Sequence, residues 1–253
     1  MTPTLDAYLE VGAKRVFAGA VDWPGWCRSA RTEDAALRAL IDYAPRYAGA
    51  LGGAARGLKR PGAVSDLRVV ERLKGDATTD FGAPSQAPKS DGRALDAARV
   101  KRQIRLWRAC GSALDTAAAA ARDKELTKGP RGGGRELDAI VAHVFEADRA
   151  YLRFIGDRLP KPEDGDAAGA MAGLRDAIAA ALTARARGEP PAHPRRVEKY
   201  WSPRYFVRRS AWTAPPVEFR HQGAARTPTS SRCRSRSAGS AYTRYAPARS
   251  SSS

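Results

Sequence analysis

The apolar positions of LDAYLEVG and KRVFAGAV read as two short strands around a turn at Gly12-Ala13. A corner follows at Asp22-Trp-Pro-Gly-Trp26, with a brief extended continuation through Cys27. Thr32 then stands where a helix N-cap belongs, with Glu33 and Asp34 in a first turn whose positive end favours carboxylates. Ala36, Leu37, Leu40, Ile41 and Ala44 recur at helical spacing up to Pro45. After a Gly/Ala-rich loop, Asp66-Leu-Arg-Val-Val-Glu-Arg-Leu73 returns as a strand. Residues 1–82 are therefore predicted to form a small β-β-α-β, α+β module.

Composition shifts at residues 83–93, APSQAPKSDGR, a Pro/Ser-containing stretch that reads as a linker. Beyond it the pattern is all helical. Val100, Ile104, Trp107, Gly111, Leu114 and Ala118 step by three and four, the seam of a bundle helix. Residues 135–156 give a second helix, Met171, Leu174, Ile178 and Leu182 a third, and Pro203 to Trp212 begin a fourth. The fold class is thus α+β followed by all-α, with residues 94–212 as a four-helix bundle. The last helix is cut short, because Pro215 and Pro216 cannot continue it.

Within the second bundle helix, Leu137, Ile140, Val141, Val144, Phe145, Tyr151, Leu152 and Ile155 share one face, and Asp148 falls in its middle. A carboxylate there is expensive unless it is paired, hydrogen-bonded or bound to a cation. His143 lies on a separate stripe of small residues, Ala139, Ala147 and Ala150, where a neighbouring helix can approach closely. The two are not adjacent on the helix surface, so they do not form a chelate by themselves. His143 reads as either a bundle histidine or a metal ligand, and Asp148 as either a paired structural acid or a ligand's support.

The chain has 253 residues with a formal charge of +17. Such an excess ordinarily points to nucleic acid or an anionic surface. Its location weakens that inference: residues 210–253 carry seven arginines against Glu218, so this segment supplies +6, and the remaining +11 is spread over residues 1–209 among 26 acids. The same segment holds ten serines and no Leu, Ile, Met, Lys or Asp. Residues 213–253 are therefore expected to be a disordered Arg/Ser/Pro-rich tail, since little in them offsets the entropy of ordering. Three origins fit: an arm in which arginines meet phosphates while Tyr242 and Tyr245 stack on bases, a tail without a selected role, or a change of reading frame. The last draws on 35 Arg against nine Lys and no Asn, as GC-rich codons give. Three cysteines, Cys27, Cys110 and Cys233, without a C-x-x-C pair exclude a disulfide scaffold and a zinc ribbon. No apolar run approaches a membrane span and the first residues lack the apolar stretch of a signal peptide, so a cytoplasmic protein without membrane contact is expected.

Other motifs read more simply as structure. Lys128-Gly-Pro-Arg-Gly-Gly-Gly-Arg135 suits an anion but lacks the Gly-Lys-Ser/Thr end of a P-loop and its preceding strand. Asp76 and Asp80, four apart after the last strand, fit a cation or general base, or ordinary turn chemistry. His193 lies in a Pro-rich connector and His221 in the tail. No nucleophile–base constellation stands out, and no catalytic residue is assigned.

GGGRELDAIVAHVFEADRAYLRFIG and SPRYFVRRSAW resemble the DinB-like (YfiT-like) four-helix bundles, a family with actinobacterial members and relatives that are mycothiol-type, thiol-dependent transferases or hydrolases. The resemblance covers roughly residues 94–212. It implies that His143 takes the place of the family's helix-two metal histidine and Asp148 that of its following acid. It also implies a His-x-x-x-His pair on the last helix, completing a three-histidine site for zinc, nickel or iron. Here the run after Trp212 is Thr-Ala-Pro-Pro-Val, without those histidines, so the site is expected to be incomplete. The abrupt change after Trp212 fits a frame change near codon 213, which the alternative frames of the coding DNA test. Residues 16–43, VFAGAVDWPGWCRSARTEDAALRALIDY, resemble the HicB-type antitoxin module, which implies a protein partner for this segment.

Two functions of different class are thus expected. One is a DinB-like protein descended from a divalent-metal-binding bundle, any activity being metal- or thiol-dependent transfer or hydrolysis. The other is a non-catalytic regulatory or binding protein with a protein partner and weak nucleic-acid affinity. A shortened last helix leaves apolar faces partly uncovered, so a homo-oligomer is also expected.

Overall fold

The computed structural model describes residues 5–122, 136–159, 167–194 and 200–213. The tail 214–253 and the glycine-rich stretch through Arg135 lie outside the described residues, as do Cys233 and His221. The chain is α+β, with a four-stranded mixed sheet and its helices mostly in the C-terminal part. Among the described residues, no helix is long and apolar enough to cross a membrane.

Strands β1 (Leu5–Val11), β2 (Val16–Ala20), β3 (Cys27–Ala30) and β4 (Leu67–Lys74) form a sheet in the order β3-β2-β1-β4. β1 pairs antiparallel with β2, Leu9 opposite Ala18, and parallel with β4, Leu5 opposite Leu67. The parallel pairing requires a crossover, which α1 (Glu33–Asp42) and α2 (Ala44–Leu51) supply. Thr32 caps α1, its hydroxyl accepting from the Ala35 amide at 3.2 Å. The continuation past the corner is a full strand, β3, and a second helix opens at Ala44-Pro45. There proline occupies the first turn, whose amides have no intrahelical partner in any case.

The helical part comprises α4 (Ala97–Ala121), α5 (Leu137–Leu152), α6 (Ala167–Ala186) and α7 (Pro203–Thr213), and a short α3 (Ala77–Phe81) follows the sheet. Leu106, Leu114, Leu152, Leu174, Ile178 and Phe206 are fully buried between the long helices. The apolar core is continuous from the sheet and α1 through Trp26 and Tyr47 to α4, α6 and α7.

The Asp22–Trp26 corner joins these parts. Trp26 donates its indole N–H to the Leu40 carbonyl at 2.8 Å and stacks on Tyr47 at 5.2 Å between ring centroids. The Tyr47 hydroxyl donates to the Pro24 carbonyl at 2.8 Å. Gly25 has φ +84°, and a Cβ there would stand 3.0 Å from the Ala211 carbonyl oxygen and 3.3 Å from Cys110 Sγ. Glycine therefore serves twice at this point, in conformation and in clearance.

Residues 83–93 pack against the fold. Pro84, Pro88, Ser90 and Asp91 are buried, and Lys89–Gly92 forms a 3-10 turn against α7. α7 itself is polar in composition yet buried along most of its length, Arg204, Arg208, Arg209 and Ser210 included. Its arginines turn towards the sheet side. Arg208 grips Asp91 with two bonds of 2.8 and 2.6 Å and donates to the carbonyls of Ala20 at 3.0 Å and Val21 at 2.9 Å. Arg209 donates to the Pro84 carbonyl, and Arg204 to Asp22 at 2.8 Å.

Candidate functional site

The buried polar centre of the helical part is built from three helices. Asp148 projects from the middle of α5's apolar face and is 6% exposed. Ser210, from α7, hydrogen-bonds its carboxyl group. Trp107, from α4, donates its indole N–H to Ser210 Oγ at 2.6 Å. The serine thus accepts from the indole and donates to the carboxylate, a directional chain from α4 through α7 to α5.

Asp148 Oδ1, buried, has no hydrogen-bond partner among the described residues. Asp148 borders a cavity lined in part by Trp107, Cys110, Gly111, Met171 and Arg175, with a volume of about 10 Å³, on the scale of one water molecule. Burial pushes the Asp148 carboxyl up to about 6, against the smaller opposing pull of the Ser210 bond and the Arg175 charge. Near neutral pH a core acid with one unbonded oxygen is therefore close to its midpoint.

His143 is half-buried on α5 and does not line this cavity. Five residues at 100° each put it about 140° around the helix from Asp148. His193 is exposed and pairs with Asp157, Nδ1 to Oδ1 at 2.8 Å. Among the described residues, no group of three or more His, Cys, Asp or Glu is placed to hold a metal ion. The groups gathered around this cavity are a carboxylate, a hydroxyl, an indole N–H with no lone pair to offer, the Cys110 thiol and the Met171 thioether, with no imidazole among them. This set does not fit three imidazoles around a divalent transition metal.

The two acids after β4 serve as turn residues. Asp76 caps α3, accepting from the amides of Thr78 at 2.8 Å and Thr79 at 3.1 Å. Asp80 accepts from the Lys14 amide at 2.7 Å and so secures the β1–β2 turn. Beside them lies a carboxylate that sequence reasoning passes over. Glu10, fully buried in β1, accepts from the Thr79 hydroxyl at 2.5 Å and from the amides of Ser85 at 2.9 Å and Gln86 at 3.1 Å. Its alternation with Leu9 and Val11 suggests a solvated position, and its donors come from Thr79 of α3 and from residues 85–86, all far along the chain.

Cys27 and Cys110 are both buried, and burial raises each thiol to about 12. Both stay protonated at neutral pH and behave as small apolar side chains.

No family model, curated protein or solved structure matches the chain.

Proposed function

We propose that the chain is a DinB-like helical bundle joined to a HicB-like module. In this reading it descends from a divalent-metal-binding protein and works as a non-catalytic regulatory or binding protein. The observation that carries it is the donor set at the bundle centre, where Asp148, Ser210 and Trp107 stand in a hydrogen-bonded chain while His143 lies on another face. The competing enzymatic reading, a metal- or thiol-dependent transferase or hydrolase, requires a divalent metal held with open positions. Elemental analysis of the purified full-length protein separates the two. Substoichiometric zinc, nickel and iron are expected after incubation with each ion and removal of the excess, and one tightly held ion per chain overturns the proposal.

A second reading, nucleic-acid binding, draws on basic residues of β3, α2 and α4. Arg28 lies over the Tyr43 ring at 3.0 Å and Arg46 approaches the same ring at 5.8 Å, while Lys101 and Arg105 are exposed on α4. If these residues meet phosphates, log K against log salt should fall with a slope of about −0.9 per phosphate neutralised. Absence of binding to single- or double-stranded oligonucleotides at low salt removes this reading.

A further inference from the structure

The cavity beside Asp148 has a cationic wall. Arg175 of α6 lies across Gly111 of α4, where a Cβ would stand 3.1 Å from Nη2 and 3.2 Å from both Cζ and Nε. A side chain at position 111 would push the guanidinium back by a few tenths of an ångström. From this bed Arg175 bonds Asp115 of α4 twice, at 2.5 and 2.8 Å. The same arginine lines the cavity that Asp148 borders. Asp115 is 49% exposed and Arg175 19%. One guanidinium is therefore bonded to a carboxylate at the surface while it lines the cavity that a core carboxyl also lines.

When Asp148 carries its proton, Asp115 is the arginine's anionic partner at this point and the observed pairing satisfies it. When Asp148 ionises, a buried negative charge with an unbonded oxygen faces the same cavity, and an uncompensated charge there is costly. We propose that Arg175 is a proton-gated switch, bound to Asp115 on α4 while Asp148 is protonated and drawn to Asp148 on α5 when it ionises.

The other groups around Asp148 leave this role to Arg175. From α4, Cys110 is a protonated thiol and Arg108 is engaged by Asp176 at 2.7 Å. From α6, the other lining residue is the neutral Met171. From α7, Ser210 is neutral, while Arg208 and Arg209 are committed to Asp91 and Pro84. His143, on Asp148's own helix, does not line the cavity. Burial places the ionisation near pH 6, so the switch operates close to neutrality. Its movement exchanges an α4–α6 ion pair for an α5–α6 one and loosens the α4–α6 seam.

The test is a carboxyl-carbon NMR titration of Asp148 in the full-length chain, with Asp115→Asn as the diagnostic variant. Asp115 is at the surface, so the variant keeps the core intact. In the wild type Asp148 is expected to titrate near pH 6, with the Arg175 Nε–H resonance moving at the same midpoint. Asp115→Asn releases the arginine and should lower the Asp148 midpoint by on the order of one pH unit. Arg175→Met should raise it. A midpoint unchanged in Asp115→Asn, or an Arg175 resonance that does not follow Asp148, overturns the proposal.

Discussion

Asp91→Ala is expected to cost about 3–5 kcal/mol of folding stability, measured by urea unfolding at neutral pH. Asp91 is 1% exposed and gives both carboxylate oxygens to Arg208, itself buried against the carbonyls of Ala20 and Val21. Removing the acid takes away the carboxylate that pairs with a buried guanidinium and leaves it only the carbonyls of Ala20 and Val21. The loss should come from that stranded charge more than from the pair's net worth. The double variant Asp91→Leu with Arg208→Met should therefore recover much of the stability. A double variant as unstable as Asp91→Ala would show instead that the bonds to Ala20 and Val21 carry the energy.

Asp148→Asn should abolish a pH dependence that the wild type shows. The folded-state carboxyl is raised from its ordinary 3.8 to about 6 by burial. A group raised on folding contributes stability that is complete below its unfolded pKa and is lost as pH rises through the folded value. A rise of that size corresponds to an upper bound of about 3 kcal/mol lost between about pH 4 and 7. Asparagine keeps the shape and can still accept from Ser210, but it does not ionise. Unfolding free energies at about pH 4 and 7.5 check this, since most of the linkage falls between them. Equal differences in the wild type and Asp148→Asn would refute the assignment of this slope to Asp148.

Most elements were legible because each depends on near neighbours, whereas α2 and α3 fall in stretches that read as a loop and a turn. Thr32 followed by Glu33 and Asp34 marks the start of α1 within three residues, and the Val100-to-Ala118 seam marks α4 within its own length. Asp148 was equally visible, as an acid inside an apolar stripe. Its partners were not: Ser210 lies sixty-two residues on, in a helix whose polar composition suggests a solvated surface. The same holds for Asp91, which in sequence is one acid in a Pro/Ser stretch, and for Arg208, one of a pair of arginines. Buried ion pairs between distant segments leave no local periodicity, because each member satisfies its neighbour's charge only after both have been brought inside. Residues 83–93 read as a linker for that reason. What stabilises them against α7 is a single carboxylate and a few carbonyls, with little apolar pattern to announce it.

α7 also sets an order of events. Phe17 meets Trp212 edge-to-face at 6.4 Å, and Tyr8 lies under Arg208 at 4.9 Å, so the second face of the N-terminal sheet is covered by residues some two hundred positions later. A chain growing from its N-terminus can pair β1 with β2, and later with β4, long before that cover exists. Until Pro203–Thr213 has been synthesised, Tyr8, Phe17 and the Asp22–Trp26 corner present an apolar surface to whatever is nearby. That face of the sheet is therefore closed only when the last helix docks, and the long sequence separation makes this contact entropically costly to form.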